Sequence, residues 1–195
     1  QDHPGVYVLS DEIYSRMLYE GRRHVSLLEF EALRDRVILL DGWSKTYAMT
    51  GWRLGYGVWP KDLIEPATRL AINCHSCVNA ATQHAGIAAL EGPQDAVDDM
   101  VRAFDERRRV IVGELNQTPG VTCADPGGAF YAFANISGTG ITAAEFQDRM
   151  LNEASVATIA GTSFGAYGEG YIRFSYANST ENIEKALERI RACVS

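Results

Sequence analysis

Residues 44–56 read SKTYAMTGWRLGY and come shortly after a run of four apolar residues, Val37–Leu40. A lysine at the end of a buried strand is partly desolvated, which favours the neutral amine that bonds covalently to a carbonyl cofactor. An arginine is a permanent cation whose planar fork suits a phosphate. The segment therefore suits covalent cofactor chemistry, with Lys45 as the reactive amine and Arg53 as a phosphate anchor.

Three other segments carry polar or aromatic groups of the same kind. Residues 6–14, VYVLSDEIY, read as a short buried strand that delivers Asp11 and, three positions later, the phenol of Tyr14. Residues 170–176, GYIRFSY, read as a strand that carries Arg173, and PGGAFY precedes it at residues 126–131. Each residue alone is more typical of a cap, a packed aromatic or a structural ion pair. Only the combination of these residues and their order along the chain indicate a shared site.

In that order the segments resemble the class I/II aminotransferases, fold-type I enzymes that use pyridoxal 5'-phosphate (PLP), along essentially the whole chain. The resemblance implies that Lys45 is catalytic and binds the cofactor covalently. It also implies that Asp11 pairs with the pyridine nitrogen, that Tyr14 hydrogen-bonds the ring's phenolic oxygen and that Arg53 anchors the phosphate. Arg173 would bind the substrate α-carboxylate through a bidentate contact.

The chain departs from the family pattern at positions that matter for binding. Many relatives have a serine three residues before the lysine, whereas this chain has Gly42. Ser44 is the remaining hydroxyl nearby and is therefore the candidate for that phosphate contact. In the aspartate-type branch, an arginine of the partner subunit grips a distal carboxylate, and the corresponding position here falls near Asn79. This departure weakens an assignment to dicarboxylate substrates.

Only ten residues precede Asp11, whereas the family's phosphate loop and ring-stacking aromatic both precede that strand. The resemblance therefore implies the C-terminal half of a subunit. We expect an α/β fold: a remnant of the mostly parallel large-domain sheet, followed by a smaller α+β domain. Residues 1–97 are predicted to be the C-terminal portion of the PLP-binding domain and residues 98–195 the small domain. The intact enzyme would be a homodimer, and the chain alone is predicted to be inactive.

The function that the resemblance implies is a PLP-dependent aminotransferase, which moves an amino group between an L-amino acid and a 2-oxo acid. Two alternatives stay open. One is the aminotransferase-like sensor domain of certain transcription regulators, which keeps the lysine and PLP to sense a ligand. The other is a PLP-dependent lyase or synthase of the same fold. The nearly complete string at residues 46–56 and the Arg173 strand favour the aminotransferase.

Composition excludes several other classes of protein. With 46% hydrophobic and 22% charged residues, the chain falls in the range of soluble globular proteins. A net charge of -7 disfavours nucleic-acid binding. The one dense basic cluster, Arg107–Arg109, follows Asp105 and Glu106 and is predicted to be a solvated helix face. No apolar run approaches the roughly 20 residues of a membrane span, so no membrane association is expected.

Four cysteines, at positions 74, 77, 123 and 193, bear on metal binding and on the redox compartment. Residues 74–77 read CHSC, but a structural zinc site requires a second pair at similar spacing, and the other two cysteines are isolated. We therefore predict ordinary thiols, no metal site and a reducing, cytoplasmic compartment.

Hydrophobic periodicity and turn residues predict the elements that carry these motifs. The third strand follows the second too closely for a helical crossover, so it should run antiparallel. A polar cap at Ser179 or Thr180 is predicted to begin the last helix. The predicted strands are 6–10, 37–41, 54–59, 130–135, 156–159 and 171–176, and the predicted helices are 28–34, 60–73, 80–90, 94–116, 142–152 and a final one.

Overall fold

Three strands form the sheet of the first part of the chain: β1 (Val8–Asp11), β2 (Val37–Gly42) and β3 (Gly55–Val58). The order is β1-β2-β3, with β1 parallel to β2 and β3 antiparallel to it, which confirms both predicted directions. The helices of this part are α1 (Trp43–Thr46), α2 (Lys61–His75) and α3 (Ala80–Glu91), and 3-10 turns occupy 27–29, 31–36 and 50–52.

The central and edge strands of this sheet differ in burial. In β2, which is paired on both sides, Val37 and Leu39 are only 1% and 7% exposed. In β1, which is paired on one side only, Leu9 is 60% exposed. The prediction of a buried strand at residues 6–10 was therefore wrong in burial, and the strand begins two residues later. The apolar side chains of residues 6–9 are between 39% and 60% exposed, so this run leaves a partly open apolar edge of the sheet.

The second part of the chain contains a sheet of four strands: β4 (Thr122–Cys123), β5 (Tyr131–Asn135), β6 (Ile159–Ala160) and β7 (Tyr171–Ser175). The order is β4-β5-β7-β6, and every neighbouring pair is antiparallel. Its helices are α5 (Ala143–Asn152) and α6 (Thr180–Val194). The long helix α4 (Asp95–Asn116) precedes β4 in the chain.

The computed structural model describes residue 3 and residues 5–194, and the chain divides into two compact units, Gln1–Asp98 and Asp99–Ser195. That the units are a cofactor-binding domain (1–97) and a small domain (98–195) stays a prediction, and residues 1, 2, 4 and 195 of those ranges lie outside the described residues. Among the described residues, no helix is long and apolar enough to cross a membrane.

Alternation along β5 and β7 separates a core face from an open face. Ala132, Ala134, Ile172 and Phe174 are buried and share the core with side chains of α5 and α6, such as Phe146, Met150, Leu187 and Ile190. The opposite face carries Tyr131, Phe133 and Arg173, with Phe133 directly across from Arg173 in the ladder. The sheet thus places Arg173 on the face that does not pack on the helices.

Three predictions in the second unit were incomplete or wrong. Strand β6 lies at 159–160 rather than 156–159, because the Val156 amide donates to the Met150 carbonyl (2.8 Å) and this stretch continues the end of α5. Strand β4 was missed, since two residues show no alternation.

The prediction that Arg107–Arg109 form a solvated helix face was wrong for Arg108, which is 2% exposed and pairs with Asp105 and Asp125. Of the two predicted caps of α6, Ser179 is the one that caps the helix, because its Oγ accepts from the Asn182 amide (3.2 Å).

Candidate cofactor and substrate site

Lys45 lies just past the carboxyl end of the central strand, because β2 ends at Gly42 and the chain enters the short helix α1 at once. Strands β2 and β3 are so close here that a Cβ at position 42 would come within 2.8 Å of the Leu54 carbonyl oxygen. Position 42 therefore requires glycine as the backbone stands. Its amide donates to the Asp41 carboxylate (2.7 Å), so the tight strand end is fixed locally.

Asp11 and Tyr14 approach the same edge of the sheet from β1. Since β1 and β2 are parallel, their carboxyl ends meet at one edge, with Asp11 opposite Leu40 in the register. The Asp11 carboxylate accepts a hydrogen bond from the Ile13 amide (3.2 Å), which turns the chain after the strand. Tyr14 follows, and Lys45 Nζ lies 5.8 Å from its ring centroid. The structure thus brings Lys45, Tyr14 and the strand end at Asp11 together.

Arg53 occupies a left-handed backbone conformation (φ 57°, ψ 49°) between a 3-10 turn and β3. A residue other than glycine pays for that conformation, and such strain is concentrated at functional positions. The guanidinium donates to the Thr50 carbonyl (2.9 Å) and lines an open depression of about 740 Å³. Trp52, His75, Cys77 and Asn79 line the same depression.

Not every predicted residue reaches that depression. Lys45, Asp11 and Tyr14 are not among its lining residues. Ser44, predicted as a phosphate contact, is half-buried in α1 and does not line it either. Lys45 and Arg53 therefore lie in one compact unit, and of the two only Arg53 lines this depression.

A buried acid beside Asp11 was not singled out from the sequence. Glu12 is 7% exposed. Its carboxylate accepts from Ser10 Oγ (3.0 Å), Ser26 Oγ (3.1 Å) and the Leu27 amide (3.2 Å), and it contacts His24 Nε2 at 2.8 Å. Burial acts to raise the pKa of this carboxyl, but the contacts with these four groups outweigh burial, and the pKa lies below its ordinary value. Glu12 thus fastens the end of β1, next to Asp11, to the segment that contains His24 and Ser26.

This network makes stability depend on pH in a definite direction. The folded pKa of Glu12 is lowered, so its contribution is present above the ordinary pKa and is lost as pH falls through the folded pKa. We expect Glu12→Gln to lose about 2 kcal/mol of unfolding free energy at pH 7, and to show a shallower decline than the wild type between pH 5 and 3. Urea unfolding at several pH values measures both. Glu188→Gln, at an exposed position of α6, is the matched control, and an unchanged pH slope in Glu12→Gln would contradict the assignment.

Arg173 lies in the second unit, on the open face of its sheet. Its guanidinium carbon is 4.6 Å from the ring centroid of Tyr131 and 4.6 Å from that of Phe164. Within residue 3 and residues 5–194, the Arg173 side chain makes no ion pair or hydrogen bond, whereas its backbone is paired in the sheet. In this Arg173 clamp both rings lie within cation–π distance of the guanidinium, and its N–H donors are available to a carboxylate.

Tyr131 is held in this clamp by the glycine-containing segment before it. Ala129 has a left-handed φ of 60°, and its carbonyl accepts from the hydroxyl of the buried Tyr176 (3.1 Å). The segment 126–131, noted in the sequence only as a family motif, thus has a structural purpose: it sets one wall of the Arg173 clamp.

The four cysteines are all free thiols. Cys74 and Cys77 are exposed, whereas Cys123 is buried and its pKa is raised to about 11 by burial and by the nearby Asp125 charge. No group of three or more His, Cys, Asp or Glu side chains in the described part of the chain is arranged to hold a metal ion.

Solved structures with the same fold define the class of protein. The chain superposes on the aspartate aminotransferase of Rhizobium meliloti with a TM-score of 0.94, at 35% identity, covering 99% of this chain and 50% of that one. It superposes on an aromatic aminotransferase of Pyrococcus horikoshii OT3 with a TM-score of 0.92, at 39% identity, covering 95% of this chain and 50% of that one. The fold is thus that of the aminotransferases.

The family follows from the sequence itself. The model of "Aminotransferase class I and II" matches residues 1–190, and the chain belongs to this family. It is 42% identical to an aspartate aminotransferase of Pyrococcus horikoshii over 95% of this chain and 47% of the relative. It is 38% identical to aromatic-amino-acid aminotransferase 2 of Thermococcus litoralis over 94% and 47%. The chain spans about half the length of these relatives.

Proposed function

We propose that this chain carries the lysine-bearing part and the carboxylate-binding part of a PLP-dependent aminotransferase, which moves an amino group between an L-amino acid and a 2-oxo acid. One observation supports this above the others. Lys45 Nζ lies 5.8 Å from the ring of Tyr14, at the sheet edge where β1 ends in Asp11. Membership of the class I and II family supports the type of reaction.

The side chains of the first unit fit the functional groups of PLP. The cofactor presents an aldehyde, a pyridine nitrogen, a phenolic oxygen and a phosphate, and this unit offers an amine, a carboxylate, a phenol and a guanidinium. We assign these to Lys45, Asp11, Tyr14 and Arg53, in that order, and keep Ser44 as a further candidate for the phosphate. When bound, PLP supplies an electron sink for charge that develops at the substrate α-carbon.

The chain's own residues supply binding, orientation and proton transfer. Lys45 Nζ would hold the cofactor aldehyde and, as a neutral amine, would act as the general base that takes the substrate α-proton. Arg173, clamped between Tyr131 and Phe164, binds the α-carboxylate and so fixes the direction of the α-hydrogen. Arg53 would hold the phosphate through its planar guanidinium.

The residue near the predicted distal-carboxylate position is a helix cap and not a cation. Asn79 caps α3, its side-chain oxygen accepting from the Thr82 amide (3.1 Å). It brings no positive charge to the depression, so a dicarboxylate substrate would need a cation from elsewhere. We further propose a homodimer as the intact form and a cytoplasmic location, the latter supported by four free cysteines.

Selective labelling of the chain tests the covalent role of Lys45. The sequence contains three lysines, Lys45, Lys61 and Lys185, so each is easily followed. We expect limiting PLP followed by borohydride to place the pyridoxyl group on Lys45 several-fold more than on the other two, because Lys45 lies beside the Tyr14 ring at the strand edge that ends in Asp11. Peptide mapping by mass spectrometry measures the distribution. Lys61→Arg and Lys185→Arg should leave the label in place, and equal labelling of all three lysines would refute the assignment.

A further inference from the structure

Two exposed thiols lie together at the end of α2. The helix ends at His75, and Ser76 turns the chain away with φ 58° and ψ −80° while its amide still donates to the Ile72 carbonyl (3.0 Å). Cys74 is therefore in the last helical turn, and Cys77 is the first residue beyond the cap. Both are free and exposed, unlike the buried Cys123. The chain thus offers a C-x-x-C pair whose two sulfurs are accessible to solvent.

The local backbone favours closing this pair into a ring. Residues three apart at a helix end lie on the same side, and a disulfide needs Cα atoms about 4.4–6.8 Å apart. The left-handed Ser76 is already strained, so a shift of its dihedral angles costs less than it would in the helix interior. Cys77 makes no hydrogen bond with any described residue, so the shift breaks none at that position.

We infer that Cys74 and Cys77 form a redox-modification site that exchanges with low-molecular-weight disulfides such as oxidised glutathione. One cysteine thiolate attacks a glutathione sulfur, which forms a mixed disulfide and releases one glutathione thiolate. The second cysteine thiolate then attacks the cysteine sulfur of that mixed disulfide and releases the other glutathione. The two protein thiols are oxidised to a disulfide, their two protons go to the released thiolates, and oxidised glutathione is reduced to two glutathione molecules.

The site has a consequence for its surroundings, because Cys77 lines the same depression as Arg53 and Trp52. Drawing Cys77 toward Cys74 changes that lining next to the Arg53 guanidinium. Trp52 is 50% exposed there and reports the change through its fluorescence. This inference does not depend on the proposed amino transfer, since thiol exchange requires neither PLP nor substrate.

Equilibration of the chain in glutathione redox buffers, followed by acid quenching and tryptic mapping without reductant, tests the pair. Cleavage after Arg69 and Arg102 releases a peptide, residues 70–102, that holds Cys74 and Cys77 and no other cysteine. We expect this peptide to lose the mass of two hydrogens as the buffer becomes more oxidising, and to regain it with dithiothreitol. Cys74→Ser should instead accumulate glutathione on Cys77. Cys193→Ser is the matched control and should behave as the wild type.

Accumulation of singly glutathionylated wild-type peptide, or of disulfide-linked dimers on a non-reducing gel, would overturn the internal disulfide. The effect of the disulfide on the depression is measured separately, by tryptophan fluorescence. Tryptophan emission should change on oxidation of the wild type, and that change should be absent in Trp52→Phe. An oxidised wild type with unchanged emission would show that the disulfide forms without altering the Arg53 surroundings.

Discussion

Replacing Lys45 with alanine is expected to lower kcat/KM for amino transfer in the complete enzyme by about 10⁴-fold or more. The substitution removes the Lys45 side-chain nitrogen, to which two functions are assigned. Under the proposed function, Nζ would no longer bond the cofactor, and no base would remain beside the substrate α-carbon. Since Lys45 lies just past the end of β2 and faces the ring of Tyr14, no other lysine of the chain can take its place.

Single-turnover kinetics with an amino acid, monitored through cofactor absorbance, separates this loss from misfolding. The Lys45→Ala protein should keep its unfolding midpoint, because the side chain is only half-buried and lies outside the core. Lys61→Ala, at the exposed first turn of α2, is the matched control and should retain full turnover. Turnover within tenfold of the wild type in Lys45→Ala would remove Lys45 from the chemistry.

The part of the site that sequence could predict is the part fixed by strand direction. Asp11 and Lys45 each follow an apolar run, and parallel strands bring their carboxyl ends to one edge. The Glu12 network could not be predicted in the same way, because its partners at His24 and Ser26 come from a separate segment whose path depends on tertiary packing. The Arg173 clamp was missed for a similar reason: Phe164 reaches the guanidinium from a 3-10 turn that has no periodic signal.

Burial was harder to predict than the positions of the elements. The apolar run at residues 6–10 predicts a buried strand, yet β1 is an exposed edge, since burial is a property of the surroundings and not of the strand. Arg108 shows the reverse. Its neighbours Arg107 and Arg109 indicate a solvated face, but the Arg108 side chain is buried and pairs with Asp125, which the segment before β5 contributes and which is itself exposed. In both cases the burial of a residue depended on residues that are distant in the sequence.

The two arginines should separate substrate binding from cofactor binding. In Arg173→Lys the charge remains, but the flat group that stacks between Tyr131 and Phe164 and offers paired N–H donors is lost. We expect kcat/KM for amino acids to fall by about 10²-fold, while PLP affinity stays within a few-fold of the wild type. In Arg53→Lys we expect the reverse pattern, with a larger loss in PLP affinity than in kcat/KM for amino acids. The reason is that Arg53 belongs to the other unit and is assigned to the phosphate.

Equilibrium dialysis of PLP, together with steady-state kinetics at saturating cofactor, measures both quantities in each variant. Arg107→Lys is the matched control, since its guanidinium lies over the Phe104 ring (5.3 Å) and is assigned to neither the phosphate nor the carboxylate. If Arg173→Lys released PLP while the amino-acid kinetics were unchanged at saturating cofactor, the two roles would have to be exchanged. A parallel loss of both quantities in both variants would instead mean that the arginines act through folding, which urea unfolding of the same proteins would reveal as a lowered midpoint.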